Sequence, residues 1–222
     1  MDVELVITGD GSHTLFVPVL KEHYHSTFGA IRESKHIFID SGLLHFPDHS
    51  ELTIIETGFG TGLNALLTIL EADHHGFTIN YIAIEPYPLE RAVYQQLNYP
   101  DKTGFRKSLP LYNAIHEAPF QIKNSITSWF SFVKIKEKLE DIILSAETVD
   151  LVYFDVFSPE VQPELWTEKI FRKLSASMKT GGILVTYSVK GSVRRILKNV
   201  GFDVEKLPGP PGKREITRAM KK

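Results

Sequence analysis

An α/β fold built on a mostly parallel sheet is expected from three observations. From residue 52 onward, short apolar runs alternate with amphipathic stretches, the rhythm of strands joined by covering helices. The first of these strands runs into a glycine turn, Ile54-Ile55-Glu56-Thr57-Gly58-Phe59-Gly60-Thr61-Gly62-Leu63-Asn64. Near the end, the loop Pro208-Gly209-Pro210-Pro211-Gly212 separates two short apolar segments, as in a hairpin.

Composition sets the outer limits. The 222 residues, 42% apolar, suffice for one globular unit with a sizeable core. No run approaches the ~18 apolar residues of a membrane span. The start, Met1-Asp2-Val3-Glu4, lacks the basic and apolar regions of a signal peptide, so a cytoplasmic protein is expected. With no cysteine, disulfides, zinc–thiolate sites and thiol nucleophiles are excluded. Charge is lopsided: residues 179–222 hold 11 Lys and Arg against 3 Asp and Glu, on an otherwise acidic chain. A basic end on an acidic body suggests a polyanion footprint; a solvated tail is the plainer alternative.

Residues 1–51 read as an N-terminal extension with strands at Glu4–Thr8, Thr14–Val17 and His36–Asp40. Residues 52–222 read as the main unit. Leu52–Glu56 is its first strand and Leu63–Ala72 the helix after it; Thr78–Ile84 is the second strand, followed by helical Leu89–Leu97. Residues 98–119 look irregular. Phe120–Ile122 and Ser128–Ile135 are expected to pair, with a helix over Lys136–Leu144. Val149–Asp155 is an apolar run ending in an acid, as a buried parallel strand should be. Pro163–Met178 carries apolar residues near a 3.6 period, stopped by Thr180-Gly181-Gly182 before strand Ile183–Ser188. A helix over Val193–Val200 and the strands Phe202–Lys206 and Arg214–Met220 complete the chain.

The glycine turn points bare backbone N–H groups into the crevice at the carboxyl end of a parallel strand, where nucleotide-like ligands bind. Gly58 permits the turn, Gly60 allows close approach and Gly62 allows tight helix packing. The dinucleotide fingerprint is G-x-G-x-x-G; here the third glycine comes one residue early, which counts against NAD. Glu56 faces the same crevice and can accept from an ammonium group. Glu85, ending the second strand 23 residues after Gly62, is placed to hold ribose hydroxyls. Asp155, in Asp155-Val156-Phe157-Ser158-Pro159, can hold and deprotonate an amine, while Phe157 and Pro159 can wall a flat ring. The bland alternative for each acid is a strand-end carboxylate capping a turn. His23-Tyr24-His25 offers two rings on one strand face without a third ligand, so no metal is expected.

Together these residues resemble the class I S-adenosylmethionine-dependent methyltransferases. The wording is similar to one tRNA-modifying family, the MnmC-type 5-methylaminomethyl-2-thiouridine methyltransferases: Thr57–Asn64, Asp155–Pro159 followed by Pro163-Glu164-Leu165-Trp166, Gly191-Ser192-Val193-Arg194-Arg195, and Gly212-Lys213-Arg214-Glu215. Tyr24-His25-Ser26, Gly29, Glu33 and His36-Ile37-Phe38 match its style too. The resemblance implies a Rossmann-like, seven-stranded sheet with a C-terminal antiparallel hairpin. S-adenosylmethionine is the implied cofactor, with Glu56, Gly58, Gly60, Gly62, Asn64 and Glu85 around it. Asp155 is the implied residue at the methyl-transfer site, and an aminomethyl nitrogen of a wobble uridine the implied acceptor. Phe157 and Pro159 would meet the base, and Lys190, Arg194, Arg195, Lys213 and Arg214 the tRNA phosphates. Many relatives carry an FAD-dependent oxidase domain; with the sequence ending at Lys222, that activity is expected to be absent. The Gly-Asp pair that usually reaches the adenine is replaced, at the best placement, by Val133-Lys134. An aminopropyltransferase or other small-amine N-methyltransferase, and a non-catalytic cofactor- or RNA-binding module, remain as alternatives.

Overall fold

The computed structural model describes residues 2–104 and 107–222. An N-terminal three-stranded antiparallel sheet comprises β1 (Glu4–Ile7), β2 (His13–Val17) and β3 (Glu22–His23). Helix α1 (Ala30–Ser34) continues as a π-helical turn over Lys35–Asp40. The main unit then runs β4 (Glu51–Thr57), α2 (Leu63–His75), β5 (Thr78–Ile84), α3 (Arg91–Tyr94), α4 (Tyr99–Lys102) and α5 (Ser108–Glu117). It continues through β6 (Asn124–Ser125), β7 (Phe130–Ile135), β8 (Val149–Phe154), α6 (Glu168–Ser177), β9 (Met178–Thr186), α7 (Gly191–Asn199), β10 (Phe202–Pro208) and β11 (Glu215–Lys221).

The main sheet has the order β10-β11-β9-β8-β4-β5-β7-β6. Strands β9, β8, β4, β5 and β7 are mutually parallel, and β10 and β11 close one edge as an antiparallel hairpin. From β4 the chain steps outward to β5 and β7, then returns to β8 on the other side. The switch point thus lies between β4 and β8, where a parallel sheet opens a crevice at its carboxyl ends. The seven expected strands are joined by the two-residue edge strand β6. One face packs against α1, α2 and α5 through residues such as Leu66, Ile69, Tyr81, Phe132 and Tyr153. The other packs against α6 and α7 through Val152, Phe154, Phe171, Leu184 and Leu197.

Six expectations are corrected. His36–Asp40 is π-helical, not a strand: Ile37, Phe38 and Ile39 are all buried, and three consecutive apolar residues mimic a strand. Residues 98–119 contain α4 and α5, apart from Phe105 and Arg106, which lie outside the described residues. Pro110 disguised α5, but it sits in the first turn, where a missing N–H is harmless. Lys136–Leu144 is a loop; Leu139 and Ile142 are buried, and Lys173 Nζ donates to the carbonyls of Leu139, Glu140 and Ile142 at 2.9, 2.7 and 2.7 Å. Phe120 makes one parallel bridge to Lys134, and the strand paired with β7 is Asn124–Ser125 instead. Gly181 and Gly182 interrupt the register inside β9, which starts at Met178, and the expected long helix is split into a 3₁₀ turn at Pro163–Leu165 and α6.

Phe171 is fully buried, with its ring 4.8 Å from that of Phe154 and 6.3 Å from that of Trp166. Phe171→Ala is expected to lower the unfolding free energy by about 3–5 kcal/mol, the usual range for emptying such a site, measured by urea denaturation.

Candidate active site

Strands β4, β5 and β8 end side by side, and each ends in, or one residue from, an acid: Glu56, Glu85 and Asp155. The turn after β4 is threaded between them. Gly58, Gly60 and Gly62 have φ of 85, 46 and 72°. At Gly58 both conformation and space require glycine, since a Cβ would lie 2.3 Å from the Asp155 carbonyl. Gly62 leads into α2, where a Cβ would press on His116 and Phe59.

Glu56 is fully buried, and neither carboxylate oxygen has a hydrogen-bond partner among the described residues. Burial drives its pKa well above the usual carboxylate range; nearby Tyr81 and Asn64 offset this in part, and Asp155 and Glu85 add to it. Glu85 Oε2 accepts from Gly60 N–H at 2.9 Å and Oε1 from Tyr87 N–H at 2.8 Å. Burial raises its pKa, with the two backbone donors opposing. Asp155 Oδ2 accepts from Asn64 Nδ2 at 2.8 Å, and Asn64 Oδ1 in turn accepts from Ser34 Oγ. Burial pushes Asp155 up to about 7, against the Asn64 hydrogen bond. A carboxyl poised there can act as a proton acceptor near neutrality.

A buried network supports the turn from beneath. His25 Nε2 pairs with Thr61 Oγ1 at 2.8 Å, while the Thr61 carbonyl accepts from Tyr112 OH at 2.9 Å and His116 Nε2 at 3.1 Å. The His116 ring stacks on Tyr94 at 4.0 Å. The loop after β8 is held likewise: Tyr187 OH donates to the Val156 carbonyl at 2.9 Å and Trp166 Nε1 to the Phe157 carbonyl at 2.8 Å. Phe157 N–H donates to Gln162 Oε1 at 2.9 Å, and Ser158 Oγ to Glu22 Oε1 at 2.9 Å.

The structure thus gathers Glu56, Gly58, Gly60, Gly62, Asn64, Glu85, Asp155 and Phe157, with Pro159 two residues further along the same loop. The basic residues divide. Arg195 and Arg214 are exposed, Lys190 pairs with Glu160, and Arg194 is half-buried. Lys213 is 3.3 Å from Glu33 Oε1 and 4.5 Å from the Tyr187 ring. Val133-Lys134 does not reach the crevice: Lys134 lies within β7, and its ammonium donates to the carbonyls of Ile115, at 3.3 Å, and His116 at the end of α5. In register, Glu85 is level with Lys136. The His23 ring lies against Phe16, while His25 is buried and bonds to Thr61. No group of three His, Asp or Glu among the described residues is arranged to hold a metal. No helix among them is long and apolar enough to cross a membrane.

Sequence reasoning assigned no role to Tyr24, Glu33 or Tyr187. The Tyr24 ring meets Phe157 edge-on at 5.2 Å and lies over Gly60, where a Cβ would come within 3.0 Å of it. These side chains come from distant segments, and the faint signal was that Tyr24 and Glu33 lie in the stretch carrying the family resemblance.

An open-backbone turn beside a buried carboxylate with two unpaired oxygens suits a nucleoside that carries an ammonium group, and S-adenosylmethionine is such a group. Fold and site define a nucleotide-cofactor enzyme with its crevice at the sheet's switch point. A family model described as S-adenosyl-L-methionine-dependent methyltransferase matches residues 107–222, and the chain belongs to that family. It is 30% identical to the tRNA 5-methylaminomethyl-2-thiouridine biosynthesis bifunctional protein MnmC of Cupriavidus metallidurans, over 97% of this chain and 33% of that protein. Against the same-named protein of Magnetococcus marinus it is also 30% identical, over 93% of this chain and 32% of that one. The chain therefore spans about a third of the length of these relatives. Among solved structures, MNMC2 from Aquifex aeolicus superposes with a TM-score of 0.79 at 25% identity, over 100% of this chain and 70% of that one. A spermidine synthase bound to a transition-state analogue gives 0.61 at 15% identity, over 99% of this chain and 70% of that one, a likeness of fold alone.

Burial holds His116 down to about 3 and His25 down to about 4, from 6.5. Both fold as neutral rings. Below the unfolded value the unfolded chain takes up protons that the folded one refuses, so this contribution is lost as pH falls from 6.5 toward those values. The stability of wild type relative to His116→Phe, which cannot titrate, is expected to fall by about 2 kcal/mol between pH 7 and pH 5. Urea denaturation at both pH values measures it, and a constant difference would contradict the neutral buried ring.

Proposed function

We propose that this chain methylates the aminomethyl nitrogen of a wobble uridine in tRNA, using S-adenosylmethionine. The observation that carries the reading is Asp155, at the switch point beside the glycine turn and pushed up to about 7. The names of the MnmC relatives and the superposition with MNMC2 support the choice of acceptor.

The residues present fit the cofactor. Glu56 would accept from its ammonium group, Glu85 from its ribose hydroxyls, and the turn 58–62 would line its edge. When bound, the cofactor supplies a methyl carbon activated by positively charged sulfur, so that the new N–C bond forms as the C–S bond breaks. The chain's task is alignment and proton removal. Asp155, fixed by Asn64, accepts a hydrogen bond from the amine, directs its lone pair and takes the proton that leaves. Tyr24 and Phe157 form an aromatic wall for the uracil ring, with Pro159 beyond it. Arg195 and Arg214, exposed at the basic end, would meet phosphates first, with the half-buried Lys190 and Arg194 adding charge. A cytoplasmic location accords with a tRNA acceptor.

The test is nucleoside mass spectrometry of tRNA bearing an aminomethyl-uridine, incubated with protein and S-adenosylmethionine. A gain of one methyl on that nucleoside is expected. Asp155→Asn is expected to cut the rate by about 10²–10⁴-fold while cofactor affinity stays within a few-fold. Undiminished turnover in the variant would sink the role of Asp155.

A further inference from the structure

Two segments far apart in sequence meet beside the loop that follows Asp155. Three contacts join the loop 209–214 and its flanks to the N-terminal segment. His36 Nε2 lies 2.7 Å from the Pro208 carbonyl; Gly212 sits so close on the Phe28 ring that a Cβ would lie 2.2 Å from it; and Lys213 pairs with Glu33. Glu33 is 8% exposed, and its second oxygen accepts from Ser26 N–H at 2.7 Å. Lys213 also lies over the face of Tyr187, whose hydroxyl holds the Val156 carbonyl, one residue from Asp155.

We infer that Glu33 and Lys213 are a positioning pair, which sets the charge of Asp155 and so the pH range in which an amine substrate loses its proton. The inference rests on the methyl-transfer reading for its kinetic half and on geometry for the rest. The groups that bear on the Asp155 carboxyl are Glu56 from β4, Tyr81 from β5, Asn64 from α2, Glu33 from α1, Tyr187 after β9 and Lys213. Lys213 is the one cation in this set. Its charge favours the ionised carboxyl and Glu33 opposes it, so the two act on Asp155 with opposite sign. Glu33 also keeps the ammonium in place and offsets its repulsion of an arriving cationic amine. Lys213, expected from sequence to meet a phosphate, is thereby engaged by Glu33 and the Tyr187 ring.

The test is the pH dependence of kcat/KM for wild type, Lys213→Met, Glu33→Gln and Lys213→Arg. The acid limb should move to higher pH in Lys213→Met, with at least about a threefold further loss of relative rate at pH 6. It should move to lower pH in Glu33→Gln, where the amide still accepts from Ser26. Lys213→Arg should leave it in place. A limb fixed in all four proteins belongs to the substrate amine and overturns the inference, as does a limb moving the same way in Lys213→Met and Glu33→Gln, which marks a merely structural pair. Carboxyl ¹³C NMR titration of Asp155, its signal assigned by loss in Asp155→Asn, gives the same comparison without substrate. Opposite shifts there, with no methylation of aminomethyl-uridine by wild type, would leave the pair standing and remove the proposed reaction.

Discussion

The constraint on which this site turns is a buried carboxyl whose neighbours, Tyr81 and Asn64, fall short of hydrogen-bond geometry with it. Glu56 ends the central strand, is sealed from water, and has both oxygens unpaired among the described residues. Burial by itself favours the neutral carboxyl, and the ammonium group of a ligand would favour the ionised one. Everything nearby works around that point. The turn that leaves Glu56 has glycine at three alternate positions with positive φ, the neighbouring strands bring Glu85 and Asp155 two residues beyond its level, and α2 supplies Asn64 to fix Asp155. Glu85 and Asp155 thus already accept hydrogen bonds from within the protein, while neither oxygen of Glu56 has a partner among the described residues.

The N-terminal segment is part of this arrangement. Tyr24, just after its short sheet, packs on Gly60, His25 bonds to Thr61 of the same turn, and Glu33 of α1 pairs with Lys213. The C-terminal hairpin, which closes the sheet edge, reaches back through its loop to Phe28, Glu33 and His36 of that segment. A crevice that a bare parallel sheet leaves wide is in this way narrowed by side chains from both ends of the chain.

The part of this legible in sequence is the part written in local pattern. Thr78–Ile84 and the strand around Leu52–Glu56 announce themselves by apolar runs, and the glycine turn by its spacing. With those strands placed, Glu56, Glu85 and Asp155 fall together by topology alone. Elements whose pattern was ambiguous went astray for definable reasons. Ile37-Phe38-Ile39 is buried all round and reads equally as strand or helix, Pro110 hides the start of α5, and Leu139 with Ile142 imitates helical spacing in a loop whose carbonyls bond to Lys173. Lys134 is instructive too: a lysine in a strand reads as a surface or ligand contact, yet it is 2% exposed, lies 4.7 Å from the Phe120 ring and is held by helix carbonyls. The Glu33–Lys213 contact joins positions 180 residues apart, and no local pattern encodes it.

The most direct measurement is calorimetric binding of S-adenosylmethionine and of methylthioadenosine, a nucleoside without the ammonium group, to wild type and Glu56→Gln. If the unpaired carboxylate is the ammonium acceptor, the substitution weakens S-adenosylmethionine at least about tenfold and leaves methylthioadenosine nearly unchanged, since a lost charge-assisted hydrogen bond amounts to about 1.5–3 kcal/mol. Equal effects on both ligands, or none on either, would contradict the account: Glu56 would then be a structural acid, and the cofactor would be held by other groups.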